Sequence, residues 1–422
     1  MNDDDYAALA RRLVATGILS DPWIDGQPRF DPRPLVLSAD EARAYAVAAE
    51  AIAGAHEALC QLVLAEPDHL DRFFGLSPVQ RLMWETSAPL WHGLARADVF
   101  PTDAGLAICE LNSDTPSGEA EAVVLNAAAS ADHPDLVDPN TGLEARYCAL
   151  LEHLAAELAG RRPPLSIGIV YPTEMPEDLS MIQLYRSWFA ARGWSVVLGS
   201  PYNLQPAPGA RVALFGQPLD VVVRHYKTDW WGERLPPWAD AHPYEDPAPL
   251  SGPLGCLLQA AIEGTVAIVN PFGSVLPQNK RAMAFLWEEM ARFSPAVQAT
   301  VRAFLPETRR LERMERARLE RERMLWVVKS DYGCEGDEVI VGAEVTDAEW
   351  REVLRAALPG RWVAQRRFEV RPDALGRSFN VGVYLVAGRT AGFFARASDG
   401  ATDYSSQTVP TLVRGVWGPD DE

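Results

Sequence analysis

The sequence predicts a mixed α/β protein, α/β with α+β parts, built as two or three domains. Three observations carry this reading. A long amphipathic stretch opens at Ser38, strands alternate with helices between Pro163 and about Asn270, and alternating strands dominate from Trp326 to Ser398. With 422 residues and 48% hydrophobic content the chain can bury a sizeable core.

Taken in order, SADEARAYAVAAEAIAGAHEALCQLVL from Ser38 to about Phe74 reads as one helix with a Ser38…Glu41 capping box. RADVFPTDAGLAICELN from Arg96 reads as two strands around a Thr-Asp-Ala-Gly turn, and EAEAVVLNAAA from Glu119 as an alanine-rich helix. LSIGIVY, a helix over 178–192, WSVVLGS, RVALFG, LDVVVRHY and TVAIVNP predict a small parallel α/β sheet, because strands joined by helices return in parallel. The Pro-rich stretch from Arg234 reads as an exposed loop, and Glu307–Met324 as a highly charged helix with a solvated face. WVVKSDYGCEGDEVIVGAEV then gives strand, glycine loop and strand, followed by a helix capped by Thr346…Glu349. WVAQRRFEV, SFNVGVYLVAG and TAGFFARAS are three further strands.

The first strand pair carries chemistry. Glu110, Leu111 and Asn112 stand at i, i+1 and i+2, so the strand period puts the carboxylate and the amide on one face and Leu111 on the other. With Asp98 from the partner strand, that face offers oxygen ligands suited to magnesium. The alternative is an ordinary polar hairpin.

Composition narrows the class. The N-terminus MNDDDYAALARRL is acidic where a signal peptide is basic, and no apolar run is expected to reach membrane length, so a cytoplasmic protein without a membrane partner is expected. A net charge of −19 argues against nucleic acid and for cationic small molecules, although acidity also serves solubility alone. Five scattered cysteines form no CxxC pair. Only three of 39 basic residues are lysines, Lys227, Lys280 and Lys329, which marks each as a place where a compact ammonium is wanted.

RAD, ELNSDTPSG, NKRAMAFLWE from Asn279, WVVKSDYGCEG from Trp326 and AGFFARAS from Ala391 occur in the order found in the glutathionylspermidine synthase family, which the chain resembles from about Arg96 onward. The resemblance implies a circularly permuted ATP-grasp fold with an inserted small parallel α/β (pre-ATP-grasp) domain. The divisions are then 1–160 for the N-terminal helices and metal-binding strands, 161–275 for the substrate-side domain and 276–422 for the nucleotide lobes. An added amidase domain is not expected in a chain of 422 residues.

The same resemblance implies an ATP-dependent C–N ligase, with ATP and Mg2+ as cofactors and a small-molecule carboxylate, such as a peptide, and an amine as substrates. Asp98, Glu110 and Asn112 would hold the metal. Lys280 and Lys329 would meet the phosphates, Gly333 and Gly336 would form the loop over them, and Gln365 would sit in the segment that receives adenine. Arg96 and Arg396 would stabilise the acyl phosphate as it forms. Thr115 and Ser117 match the segment that contacts the peptide, and Asp229 and Glu233, with Trp230 and Trp231, are candidates for the amine. Other readings stay open: a strand-end surface lysine for Lys329, a sheet edge for Gln365, structural ion pairs for Arg96 and Arg396, and a loop anchored by buried tryptophans around Asp229. Where many relatives read Arg-Glu-Gly, this chain has Cys334-Glu335-Gly336. The missing cation leaves a nucleotide-binding regulatory or scaffold protein, with weakened or lost ligase activity, as the alternative.

Overall fold

The computed structural model describes residues 3–87, 90–91, 93–173, 178–232, 250–333, 338–398 and 406–418. The candidate residues Glu233, Cys334 and Gly336 lie outside them. Three sheets position the site. The strands Leu94–Thr102 (β1) and Gly105–Asn112 (β2) form an antiparallel hairpin. The strands Ser166–Val170 (β3), Ser195–Gly199 (β4), Val221–Arg224 (β5) and Ala267–Val269 (β6) make the parallel sheet, in the order β6-β5-β3-β4. Thr308–Arg310 (β7), Trp326–Ser330 (β8), Val339–Val341 (β9) and Trp362–Arg366 (β10) form an antiparallel sheet ordered β7-β10-β8-β9. Ser378–Val386 (β11), Arg389–Ser398 (β12) and Gln407–Val409 (β13) extend the first hairpin into a five-stranded sheet, β13-β12-β11-β1-β2.

The long helix Ala39–Ala65 carries the expected capping box, with Ser38 and Glu41 satisfying each other's backbone. It ends before Pro67, and Leu70–Phe74 forms a separate π-helical turn, so the single helix expected to Phe74 is two pieces. This helix is long and apolar enough to cross a membrane by length and composition, contrary to the expectation that no apolar run reaches that length. Its alanines raise the hydropathy, and half of its apolar window is buried, with Ala42, Ala49 and Ile52 in the core that also holds Val381 and Val383 of β11.

Two further expectations are corrected. RVALFG does not join the parallel sheet. It pairs antiparallel with Leu204–Ala207 and Gln217–Pro218, because Phe215 and Gly216 take positive φ and turn the chain straight back. The charged segment Glu307–Met324 is not one helix. Thr308–Arg310 is drawn into the sheet as β7, where Arg310 and Glu288 form an ion pair with side chains only 9% and 11% exposed, and helix resumes only at Arg316–Arg321. Burial of one pair outweighs the weak local preference of many exposed i,i+4 pairs.

Candidate active site

The β1–β2 register sets Arg96 opposite Asn112 and Asp98 opposite Glu110. Directly opposed residues share a face, so these four side chains form one polar patch. Between Asp98 and Val99 the register shifts, since Val99 pairs with Ile108 and leaves Cys109 as an extra bulged residue. The next strand, β11, continues the patch, with Gly382 opposite Asp98 and Tyr384 opposite Arg96. A Cβ on Gly382 would stand 2.6 Å from Cδ of Arg96, so glycine there makes the bed on which the guanidinium lies. Asn380 of β11 and Arg396 of β12 are paired in register and complete the face.

Charges on this face are balanced in place. Arg96 donates from Nε to Asp98 Oδ1 at 2.8 Å and from NH1 to the Ser117 carbonyl at 2.6 Å, and Tyr384 donates to the same carbonyl at 3.1 Å. Asn380 donates to Asp98 Oδ2 at 3.4 Å. Burial alone would raise the Asp98 carboxyl, yet Arg96, Arg396 and Asn380 together hold it below the usual carboxylate range. Asp98 therefore stays ionised at neutral pH and available to a cation.

The second antiparallel sheet meets the first at the bulge. Lys329 at the end of β8 and Gln365 of β10 each donate to the Cys109 carbonyl at 3.5 Å, and Gln365 also donates to Thr308 Oγ1 at 3.1 Å. Lys280, just ahead of the helix Arg281–Glu288, lies 3.4 Å from Glu110 and donates to the Gly333 carbonyl. Lys280, Lys329 and Gln365 are 2%, 6% and 2% exposed, so these are not surface side chains. Two lysines 49 positions apart thus converge on adjacent residues of one strand. Gly333 anchors the start of the glycine loop, its N–H donating to Ser330 Oγ at 2.9 Å.

An all-oxygen donor set of Asp98, Glu110 and Asn112 fits a hard cation. Among the described residues no three His, Cys, Asp or Glu side chains form a metal-holding group. A cation here would rely on two carboxylates, one amide and substrate oxygens, as magnesium does. The Asn112 amide nitrogen is buried without a hydrogen-bond partner; as a donor it suits an acceptor such as a phosphate oxygen, and only the amide oxygen could ligate the cation.

Thr115 and Ser117 lie on the loop between β2 and the helix Glu119–Asp132, and that loop is fixed by residues the sequence did not single out. Asp114 accepts from Arg224 and Ser274 on one oxygen and from the Thr228 N–H at 2.7 Å on the other, and Asn270 donates to the Asp114 carbonyl at 2.6 Å. Arg224 ends β5 and Asn270 follows β6, so the carboxyl ends of the parallel strands close on this loop, where open α/β sheets bind ligands. An arginine ending the apolar run VVVR was the available sign. Asp229 lies 3.8 Å from Lys227, whose ammonium also stands 5.1 Å from the Trp230 ring centre, so the proposed amine contacts already hold a cation from the chain itself. Trp231 is buried and donates to the Tyr226 carbonyl at 3.2 Å, an anchoring role.

A glutathione synthetase-like effector from Globodera pallida superposes with a TM-score of 0.58 at 10% identity over 97% of this chain and 96% of its own, which shows a shared fold. A putative gamma-glutamylcysteine synthetase from Methylobacillus flagellatus superposes with a TM-score of 0.46 at 11% identity over 85% of each chain. Among curated proteins no sequence matches. The glutathionylspermidine synthase preATP-grasp family description matches residues 35–414, and the chain belongs to that family.

Proposed function

We propose that this protein is an ATP-dependent carboxylate–amine ligase with a circularly permuted ATP-grasp core, into which the parallel α/β unit of about 161–275 is inserted. The observation that carries the reading is the meeting of two sheets at Cys109. One sheet presents Asp98, Glu110 and Asn112 with Arg96, the other brings Lys329 and Gln365 to the Cys109 carbonyl, and Lys280, at the start of the helix Arg281–Glu288, reaches Glu110 beside it. Cations and carboxylates juxtaposed in one buried cluster suit a triphosphate better than any side-chain nucleophile chemistry.

In this reading a carboxylate oxygen of the first substrate attacks the γ-phosphorus of ATP, the bond to the β-phosphate oxygen breaks and ADP leaves. The amine then attacks the acyl carbon, inorganic phosphate departs with the oxygen that came from the carboxylate, and the amine's proton is lost. Magnesium, when bound at Asp98, Glu110 and Asn112, would neutralise phosphate charge. Lys280 and Lys329 hold the phosphates as point charges, Arg96 and Arg396 face the charge that develops on the transferring group, and the loop carrying Thr115 and Ser117 holds the carboxylate substrate. Glutathione and a polyamine are the substrates the family description suggests. An ADP-release screen over a matrix of carboxylates and amines tests this: release that requires one of each supports it, and nucleotide binding without acceptor-dependent release favours a regulatory nucleotide-binding protein.

A further inference from the structure

Two buried acidic residues bracket the loop that carries Thr115 and Ser117, and the fold treats them in opposite ways. Asp114, 1% exposed, receives the Arg224 guanidinium, the Ser274 hydroxyl at 2.8 Å, and the Thr228 N–H and hydroxyl at 2.7 and 3.1 Å. Glu119, 0% exposed, has no hydrogen-bond partner on either carboxylate oxygen. Buried carboxylates are normally satisfied as Asp114 is, and one left without donors is costly unless a ligand completes it.

The cations around Glu119 are committed to other partners. Arg96 and His225 lie within its field, but Arg96 is committed to Asp98 and the Ser117 carbonyl, and His225 stands 3.1 Å from Asp178. Glu121 adds a second negative charge nearby. Tyr147, Tyr185 and Tyr384 also feel the Glu119 charge; the Tyr185 hydroxyl is the neutral donor nearest to completing it, outside ordinary hydrogen-bond geometry, and the Tyr147 and Tyr185 rings lie 5.0 Å apart. A buried carboxylate among aromatic side chains, with a neutral hydroxyl nearby but no cation of its own, is the composition that receives an ammonium group. His225 directly follows β5, at the carboxyl end of the parallel sheet, which places Glu119 on the ligand side of that sheet.

We propose that Glu119 is the recognition site for a substrate ammonium group, reached from the loop carrying Thr115 and Ser117. The inference rests on the ligase reading for the identity of that loop. Two substrates can bring the ammonium: the carboxylate substrate, if it is an amino acid or a peptide with a free amino terminus, or the amine acceptor. Calorimetric titration of the full chain and its Glu119→Gln variant with glutathione, N-acetylglutathione and spermidine separates them. If the carboxylate substrate is the source, glutathione binds the unaltered protein about ten- to a hundredfold more tightly than its acetylated form, and the variant binds both equally. If the acceptor is the source, spermidine affinity falls by a similar factor in the variant and the peptides are unaffected. Should the variant not fold, the free and acetylated forms of peptide and polyamine are compared on the unaltered protein alone, where a loss of affinity on acetylation supports the site and equal affinity overturns it. Unchanged affinities in a folded variant, or no binding of any probe to the unaltered protein, overturn the inference. ADP release with equal affinity for free and acetylated probes overturns it while leaving the ligase reading intact; amino-dependent binding without ADP release does the reverse.

Discussion

The hairpin face and the loop beside it handle buried charge differently. On the face, Asp98 is matched by Arg96, and Glu110 by Lys280, each carboxylate resting against a neighbouring cation. On the loop, Asp114 is locked by the fully buried Arg224, while Glu119 has no ion-pair partner among the described residues. Matched pairs that retain some exposure can exchange partners when an anionic phosphate and a metal arrive together. A pair sealed from water cannot, and serves only to fix the backbone.

This contrast predicts where substitutions act. Asp98→Asn keeps shape and removes the charge a metal would need, so substrate-dependent ADP release should fall by about a thousandfold or more; because it also takes the counter-charge from Arg96, the rate is read well below the variant's lowered melting temperature. A near-normal rate would remove Asp98 from the metal site. Asp114→Ala should instead act on stability, because it strands Arg224 without its counter-charge; urea denaturation should show a loss of about 3 to 5 kcal/mol. A smaller loss would mean that the Asp114–Arg224 lock is not what secures the loop.

Glu119 gives a pH test with a defined sign. Burial pushes its carboxyl up from 4.5 to about 7. The native state then keeps a proton that the unfolded chain releases, so the stability this group contributes is full below 4.5 and is lost as pH rises through about 7. Glu119→Gln cannot titrate, so relative to the unaltered protein it should gain on the order of 3 kcal/mol between pH 4 and pH 8, read from denaturant midpoints. A constant difference across that range would show that Glu119 is not perturbed. The smallest effect is expected at Gly382, where the methyl of Gly382→Ala should displace Arg96 and lower turnover about tenfold through a shift of the guanidinium. An unchanged rate would mean that Arg96 tolerates the shift or does not face the reacting group.

Much of the fold could be read from local pattern, and the exceptions share a cause. Period-two alternation places Glu110 and Asn112 on one face because a strand has only two faces, and the Ser38 and Thr346 capping boxes follow from residues three apart. The bulge at Cys109, which gives Lys329 and Gln365 a shared carbonyl, leaves no trace in alternation read one strand at a time. Glu307–Met324 was misread because Glu288 lies outside the segment and its pairing with Arg310 decides the local structure. Asp114 and Arg224 are 110 positions apart, and nothing local to either announces the other. Side chains meeting within a strand pair were legible; those joining separate sheets required the folded chain.

The central claim, that a carboxylate is activated by phosphoryl transfer from ATP, is tested most directly by isotope. With a carboxylate substrate labelled with 18O and an amine acceptor, the account predicts one 18O atom in the inorganic phosphate released with each amide formed. Phosphate free of label, with ATP consumed at the same rate, would show that the carboxylate never attacked phosphorus and would contradict the ligase assignment.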